Sequence, residues 1–516
     1  MKTNINAAVA RIMIIYVCCV ASACNDMMNI DATDFFRDDA YWQTENQAIE
    51  AVNGCYRALN DADLYGNGGA GAAINNYECM TPNAYHKDNL YNTHDFAIGS
   101  QSATTLGMNL ITWRGCYRGI GRCNNVIDKI TGISMDEKLK TRLIAEAKFL
   151  RALYYHKMNV VFNGVPLVLT PPNVEEHSRL ARASYEEVKA QILKDLDEAV
   201  PALETKYPSE QDGRATKGAA FALKAKVLLQ DLDYSGTIGA CESLFALNRY
   251  ELFPDYNGIF RQANTGNSEV IFDVRWKYPN TNCDYDIIHA QYNVQAPVQE
   301  LIDAYQMIDG KSITESPLYD SANPYENRDP RFNQTILWIG KPWRNRIADA
   351  SDLHQTGYGF IKYTEYTATT TGALSTSDIP YVVLRYADVL LMYAEALNEL
   401  LAAPDEKVYR TVNEVRGRES VNMPPLPDGL TKEQMREAIR LERRIEMAGE
   451  DDYFYAIRRW KTIETDMNAS VHTCSIAPYT GAVIETRHFN PARDYYWPIP
   501  YTEIDLNPEL EQNPGY

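Results

Sequence analysis

Two long segments of the chain repeat apolar residues with the period of an α-helix, and this pattern constrains the fold more than any other feature. In "LIAEAKFLRALYYHKM", residues 143–158, an apolar stripe begins at Leu143, Ala147 and Leu150 and continues at helical steps. Residues 386–400, "YADVLLMYAEALNEL", carry a stripe of the same kind. Such a stripe lies along one face of a helix and packs into a core. The chain is therefore predicted to be mainly α-helical.

Capping boxes, in which a Ser or Thr side chain and a Glu or Gln three residues later bond to each other's backbone N–H groups, mark four helix starts. They are Thr44/Gln47, Ser134/Glu137, Ser184/Glu187 and Thr431/Gln434. Alanine is frequent between Ala215 and Ala225, which allows neighbouring helices to approach closely. Helical hairpins are predicted over about 40–250 and 385–460. The chain shows no clean 34-residue repeat, so tetratricopeptide-like packing is inferred from periodicity alone.

The middle of the chain has a different composition. From about 250 to 380 it is rich in Pro, Gly, Asn, Thr and Tyr, with short strand-like pieces such as "SEVIFDVRW" and "FNQTILWI". We predict a loop-rich region with small β elements inserted between helical parts. Residues 61–106 form a second loop-rich stretch. Loops on a rigid scaffold are where binding residues concentrate.

The N-terminal residues have the features of a secretory signal. No Asp or Glu precedes Asp26, and the apolar run 12–20 would rise only about 14 Å as a helix, against a bilayer core of about 30 Å. The following "ASAC" resembles a bacterial lipobox. Cys24 is therefore the predicted lipid attachment site, and residues 1–23 are the predicted signal peptide. Secretion without lipid and a cytoplasmic location are the weaker alternatives.

The remaining cysteines and the histidines show no metal-binding pattern. The cysteines beyond Cys24 are Cys55, Cys79, Cys116, Cys123, Cys241, Cys283 and Cys474. Their odd number and scattered spacing predict mostly buried free thiols, with one disulfide left open. No cofactor is predicted, although the Asp- and Asn-rich loops leave a structural calcium ion open.

The charge and the aromatic composition bear on the class of ligand. A formal net charge of −19 argues against non-specific nucleic-acid binding, which needs clustered Lys and Arg. The chain has 35 Tyr but only 14 Phe. A Tyr ring is apolar with one polar tip, so it suits half-exposed binding surfaces, although a tyrosine-rich composition alone also accounts for any single residue.

Seven segments, in order behind the lipobox, resemble the SusD/RagB family of outer-membrane nutrient-binding lipoproteins. They are "DDAYWQTENQAIEAVNGCYRAL", "WRGCYRGIGRCNNVIDKI", "AEAKFLRALYYHKMNVVFNGVPLV", "PYENRDPRF", "LRYADVLLMYAEALNE", "ERRIEMAGEDDYFYAIRRW" and the ending "WPIPYTEIDLNPELEQNPGY". The resemblance implies four tetratricopeptide-like units, an irregular second half and no catalysis. It also implies a lipid-anchored protein, exposed at the cell surface, that sits as a lid on a TonB-dependent (SusC-like) outer-membrane transporter.

The predicted organisation follows from these features. The predicted parts are a signal peptide (1–23), a lipidated tether (24–40), an N-terminal helical part (41–250) with loop 61–106, an irregular ligand-binding part (251–384) and a C-terminal helical part with its tail (385–516).

Glycan binding needs exposed aromatic rings beside side chains that pair with hydroxyl groups. Three loop-rich segments supply them: "VRWKYPNTNCDYD" with Trp276, Tyr278, Asn280 and Asp284, "WIGKPWRN" with Trp338, Trp343 and Arg344, and "PNAYHKDNLY" with Asn83, Tyr85, His86 and Tyr91. These are the predicted ligand-binding residues, and the alternative for each ring is that it packs a loop onto the scaffold. The remaining tryptophans lie in family-like segments and are predicted to be structural; they are Trp42, Trp113, Trp460 and Trp497.

Three other motifs have alternative interpretations. The glycines between 66 and 71 lack the preceding strand and the following Lys-Ser/Thr of a phosphate-binding loop. In "ERRIE", Glu442 and Glu446 could be paired carboxylates of a glycosidase, but charges along a helix are usually ion-paired or solvated. "RDPR" is predicted to fix a turn through pairing of Asp329 with an Arg.

The resemblance and the three segments give an order of functional hypotheses. Glycan capture with delivery to the transporter comes first, and the same scaffold binding oligopeptides comes second. A glycoside hydrolase comes third.

Overall fold

The computed structural model describes residues 41–66, 75–281, 283, 285–353, 355–365 and 376–516. Helices dominate the first half of this part of the chain, as predicted. They are α1 (Glu45–Arg57), α2 (Thr93–Ala97), α3 (Met108–Lys129), α4 (Glu137–Phe162), α5 (Val174–His177), α6 (Tyr185–Ala199), α7 (Lys217–Gln230) and α8 (Tyr234–Phe245). The apolar stripe of residues 143–158 lies within α4.

Small residues let these helices pack side by side. Helix α3 packs on α4, α4 on α6, and α7 on α8. A Cβ at Gly119 of α3 would stand 2.4 Å from the Tyr154 ring of α4, so only glycine permits this approach. In α7, Ala219, Ala222 and Ala225 are fully buried. These contacts agree with the predicted helical-hairpin scaffold.

The middle of the chain holds short helices and two-stranded sheets. The helices are α9 (Tyr285–Ile287), which continues into a π-helical turn (Ile288–Tyr292), α10 (Gln299–Ala304) and α11 (Pro330–Thr335). Strands occur here and in the flanking parts of the chain, as β1 (Ala84–His86), β2 (Val270–Val274), β3 (Gln295–Pro297), β4 (Ile336–Trp338), β5 (Pro342–Trp343), β6 (Arg346–Ile347), β7 (Tyr358–Phe360), β8 (Tyr381–Arg385), β9 (Ser470–His472) and β10 (Val483–Thr486). They pair antiparallel as β1–β3, β2–β8, β4–β7, β5–β6 and β9–β10. Strands β2 and β4 lie in the two strand-like pieces that the sequence predicts.

Helices return in the last part of the chain. They are α12 (Tyr386–Leu400), α13 (Glu406–Arg416), α14 (Lys432–Glu446), α15 (Asp452–Trp460), α16 (Ile463–Asp466) and α17 (Tyr501–Leu506). Helix α12 packs on α8 and also contacts α13 and α14. One large apolar core extends from Ala48 to Leu510. Within the described residues, none of the helices combines the length and apolar character needed to cross a bilayer.

Three of the four capping boxes are confirmed, at Thr44, Ser184 and Thr431. The fourth is wrong. Helix α4 begins at Glu137, and the Asp136 Oδ1 accepts the Leu139 N–H at 2.8 Å. Ser134 lies two residues before this cap position, so its hydroxyl does not reach the first turn.

The predicted signal peptide, the tether and Cys24 lie outside the described residues, as do the glycines at 68, 69 and 71. The boundaries of the five predicted parts stay predictions.

Candidate functional site

Two of the three predicted ligand segments meet around the π-helical turn Ile288–Tyr292. Strand β1 pairs with β3 so that Tyr85 lies opposite Ala296, and the Lys87 N–H donates to the Val294 carbonyl at 2.8 Å. The β5–β6 hairpin reaches the same turn. Its Trp343 packs in a small apolar cluster with Ala290.

The hairpin presents polar side chains beside this turn. Arg344 and Asn345 connect β5 to β6, and both have positive φ angles, of 48° and 62°. This is the geometry of a two-residue turn that matches the twist of the flanking strands. The Arg344 guanidinium donates to the Ala290 carbonyl at 3.3 Å, which holds the hairpin against the turn.

Tyr292 is the last residue of the π-helical turn, two residues before Val294, whose carbonyl accepts the Lys87 N–H. Its side chain is 48% exposed, and that of Ile347 on β6 is 57% exposed. Isolated π-helical turns are rare and occur often at functional sites. We group exposed and half-buried residues at β1, this turn and the hairpin under the name Tyr292 surface; they are Tyr85, Lys87, Tyr292, Arg344, Asn345 and Ile347.

The chemistry of the Tyr292 surface suits a hydroxyl-rich ligand. A tyrosine ring offers an apolar face for the C–H side of a sugar and a hydroxyl group at its tip. The Asn345 amide both donates and accepts hydrogen bonds, whereas Lys87 and Arg344 only donate. Neither Tyr292 nor Lys87 is among the ligand-binding residues predicted from the sequence. The signal for Tyr292 was its place in an aromatic and amide-rich stretch, "HAQYNVQ".

The structure does not place the three predicted tryptophans as exposed stacking rings. Trp276 is 5% and Trp343 is 3% exposed. The half-buried Trp338 ring stacks on Phe332 with centroids 5.1 Å apart, and the Lys341 Nζ lies 4.4 Å from its centroid. Burying a ring of this size stabilises a loop against its scaffold, which was the alternative interpretation for each of them.

Asn83 and His86 are also buried rather than available to a ligand. The Asn83 side chain donates to the Glu78 carboxyl oxygen at 2.7 Å and accepts from the Arg444 guanidinium at 2.8 Å. His86 is 1% exposed, and burial together with the nearby His94 lowers its pKa to about 3. Both side chains therefore hold the loop in place.

The two tyrosines of the same segment lie in different surroundings. Tyr85 is half-buried on the Tyr292 surface, with its ring centroid 4.8 Å from that of His94. Tyr91 is half-buried and packs against the main core. The segment thus contributes Tyr85, and not Tyr91, to the Tyr292 surface.

The third predicted segment lies at the other end of the helical stretch 285–292. Tyr278 is 52% exposed, and its backbone N–H donates to the Asp378 carboxylate at 2.8 Å. Asn280 is exposed and lines a separate groove. Asp284 lies outside the described residues.

Glu442 and Glu446 are fully buried in a network of ion pairs and face no solvent-filled cleft. Glu442 accepts hydrogen bonds from Arg331 and Arg416, and Glu446 from Arg331, Arg385 and Arg418. Burial alone would raise the pKa of the Glu446 carboxyl, but the three guanidinium groups hold it well below its usual range. A carboxylate held in this way is neither an acid nor a nucleophile for a sugar.

The predicted pairing in "RDPR" is confirmed. The Arg331 guanidinium bonds to the Asp329 carboxylate at 2.7 Å, and Asp329 also caps helix α11. The turn therefore places the Arg331 side chain in the buried ion-pair network with Glu442 and Glu446.

The seven cysteines of the described residues are free and buried, as predicted for most of them. In the same part of the chain, no group of three or more His, Cys, Asp or Glu side chains is placed to hold a metal ion.

Two family models match the chain, over separate ranges of residues. Residues 259–516 match the model of the SusD family, and residues 50–229 match a model described as starch-binding associating with outer membrane. A SusD-like protein of Formosa agariphila is 26% identical, over 98% of this chain and 99% of its own. A solved SusD-like carbohydrate binding protein from Bacteroides fragilis is 26% identical, with a TM-score of 0.83 over 91% of this chain and 100% of its own. A second solved SusD-like protein from the same species is 29% identical, with a TM-score of 0.80 over 93% of this chain and 99% of its own.

Proposed function

The chain belongs to the SusD family, and from this premise we propose that it is a non-catalytic glycan-binding lipoprotein of the cell surface. It captures an oligosaccharide or polysaccharide and delivers it to a TonB-dependent outer-membrane transporter. The lipid on Cys24 anchors it in the outer membrane, and residues 25–40 tether the folded part.

The Tyr292 surface is the observation that carries the glycan proposal. It combines an exposed aromatic ring with amide, ammonium and guanidinium groups on a rigid β-strand and hairpin framework. Shape and stacking explain binding by such a surface, and they need no reactive group. The description of the family model over residues 50–229 as starch-binding supports the same class of ligand.

The test is a binding screen with the purified protein lacking residues 1–24. Calorimetry with starch, laminarin, xylan and galactomannan should show binding to at least one of them. Long incubation with the bound polysaccharide should release no reducing ends. Reducing ends that a freshly purified sample generates in proportion to its concentration would contradict the non-catalytic proposal.

Peptide capture is the second candidate, and the same screen separates it from glycan capture. A peptide held along a strand edge depends on backbone hydrogen bonds more than on exposed rings. Binding to a tryptic peptide mixture with no binding to any polysaccharide would replace a glycan by a peptide as the ligand.

The membrane and transporter parts of the proposal need the native protein. Mass spectrometry of the membrane-extracted protein should find Cys24 as the lipid-modified N-terminus. Extraction with a mild detergent should recover the protein together with a large outer-membrane barrel protein. An unmodified Cys24, or recovery of the protein without a barrel protein, would contradict these two parts separately.

A further inference from the structure

A second polar groove lies apart from the Tyr292 surface. It has a volume of about 670 Å³ and runs between the last turns of α1, the loop around residues 210–214 and the segment after β2. Asn280 and Thr281 close one side of it. The helical stretch 285–292, which would rise about 12 Å as an α-helix, connects this side to Tyr292.

The walls of the groove are held by ion pairs. The Arg275 Nε bonds to Asp273 at 2.9 Å, and its Nη1 bonds to Asp212 at 2.9 Å. The Arg214 guanidinium bonds to Glu146 at 2.8 Å and to the Asn53 side chain at 2.8 Å. These charges are therefore matched within the protein, and the groove carries no strong excess of either sign along these walls.

Three of the exposed side chains at the groove keep their hydrogen-bonding groups available to a ligand. Glu50, Arg57 and Asn280 are exposed, and the described part of the chain offers none of them a hydrogen bond or an ion pair through the side chain. The Glu50 carboxylate accepts hydrogen bonds, the Arg57 guanidinium donates them and the Asn280 amide does both. Tyr278, two residues before Asn280 in the same loop, is 52% exposed, but it does not line the groove.

We propose that this groove is a second glycan-binding site, for neutral oligosaccharides, and that it and the Tyr292 surface bind separate parts of one polysaccharide. The inference rests on the proposed function. The groove lining holds four carboxylates and three guanidinium groups, so its polar groups suit sugar hydroxyls and give no advantage to an anionic chain. The volume lies within the range of small-ligand sites.

Two sites on one rigid protein explain how a long glycan is retained. When one part of a polysaccharide is bound at the Tyr292 surface, the next part is held at high effective concentration near the groove. Affinity for a polysaccharide then exceeds the affinity of either site for a short oligosaccharide.

The test compares short and long glycans on four purified variants. Arg57→Ala/Asn280→Ala and Glu50→Ala alter the groove, and Tyr292→Ala alters the other surface. Tyr501→Ala on α17 is the matched control, since Tyr501 is an exposed tyrosine outside both sites. Calorimetry uses each neutral polysaccharide that the wild-type protein binds, its hexasaccharide and an alginate hexasaccharide.

The wild-type protein should bind two neutral hexasaccharide molecules per chain, and each groove variant and Tyr292→Ala should bind one. Each of these variants should lose at least about fivefold in affinity for the polysaccharide, whereas Tyr501→Ala should match the wild type. One hexasaccharide per wild-type chain, or a groove variant with wild-type affinity, would overturn the second site alone. Tighter binding of the alginate hexasaccharide at the groove would overturn the neutral class. A wild-type protein that binds no glycan would overturn the proposed function and the inference with it.

Discussion

At the scale of single residues, exposure decides which aromatic side chains can contact a ligand. Tyr278 and Tyr292 expose about half of their side chains, whereas Trp276 and Trp343 are almost fully buried. Residue type alone therefore does not predict which of these rings are exposed. The two tyrosines belong to different surfaces, and each can be tested by itself.

We expect Tyr292→Ala to weaken glycan binding by roughly 1–3 kcal/mol, the usual cost of removing a central stacking ring. Calorimetry with the polysaccharide selected by the screen measures it. The control is Tyr501→Ala, which removes an equally large side chain elsewhere and should leave affinity unchanged. Equal affinities of the two variants and the wild type would exclude Tyr292 from the site.

Glu78 gives a second residue-scale prediction, on pH. It is fully buried, and burial raises its pKa from 4.5 to about 8, although the hydrogen bond from Asn83 opposes this. The folded state thus holds a proton that the unfolded state releases, so stability falls as pH rises from about 4.5 to 8, by at most about 1.4 kcal/mol per pH unit.

Glu78→Gln keeps an oxygen for Asn83 and removes the titration. We expect the free energy of unfolding of the variant, relative to the wild type, to be higher at pH 8 than at pH 5 by at least about 1 kcal/mol. Urea unfolding at both values measures it, and Glu175→Gln, at an exposed carboxylate, should show no such change. If the free energies of unfolding of Glu78→Gln and the wild type differ by the same amount at pH 5 and pH 8, the pKa of Glu78 is not elevated.

At the scale of elements, local sequence motifs predict where helices begin to within a residue or two. The capping boxes at Thr44, Ser184 and Thr431 start helices where predicted. At the start of α4 two polar side chains compete, and the Asp136 carboxylate takes the cap. The capping-box motif alone does not decide which of the two side chains caps the helix.

We expect Asp136→Ala to lower the free energy of unfolding by about 1 kcal/mol, because the Leu139 N–H loses its acceptor. Ser134→Ala is the matched control in the same turn and should change stability by less than about 0.5 kcal/mol. Denaturant unfolding of the two variants separates the alternatives. A larger effect at Ser134 than at Asp136 would restore the capping box read from the sequence.

At the scale of the whole molecule, a buried ion-pair network joins distant parts of the chain. Arg331 precedes β4, Arg385 ends β8, Arg418 follows α13, and all three bond to Glu446 at the end of α14. The network therefore ties the loop-rich middle to the C-terminal helices. It also explains why "ERRIE" carries paired carboxylates without any access for a substrate.

We expect Glu446→Gln to lower the free energy of unfolding by roughly 3–5 kcal/mol, since three buried guanidinium groups would lose their shared carboxylate. Glu437→Gln on the same helix removes an exposed carboxylate paired with Arg440 and should cost less than about 1 kcal/mol. Thermal and urea unfolding measure both. Similar small losses in the two variants would show that the buried network contributes little to stability.

The sequence by itself determined the helices, the mainly α fold and the family, because apolar periodicity, caps and ordered motifs are local signals. It also identified "PNAYHKDNLY" and "WIGKPWRN", which the fold brings together, and the loop of Tyr278. It did not identify Tyr292, and it gave Trp276, Trp338 and Trp343 an exposure that the structure does not show.

Only the tertiary structure decided which rings reach solvent. Trp343 is buried because the β5–β6 hairpin folds onto Ala290, more than fifty residues earlier in the chain. Tyr292 is exposed because the π-helical turn ends there, beside that hairpin and β1. Burial depends on contacts between segments that lie far apart in sequence, and no local pattern records them.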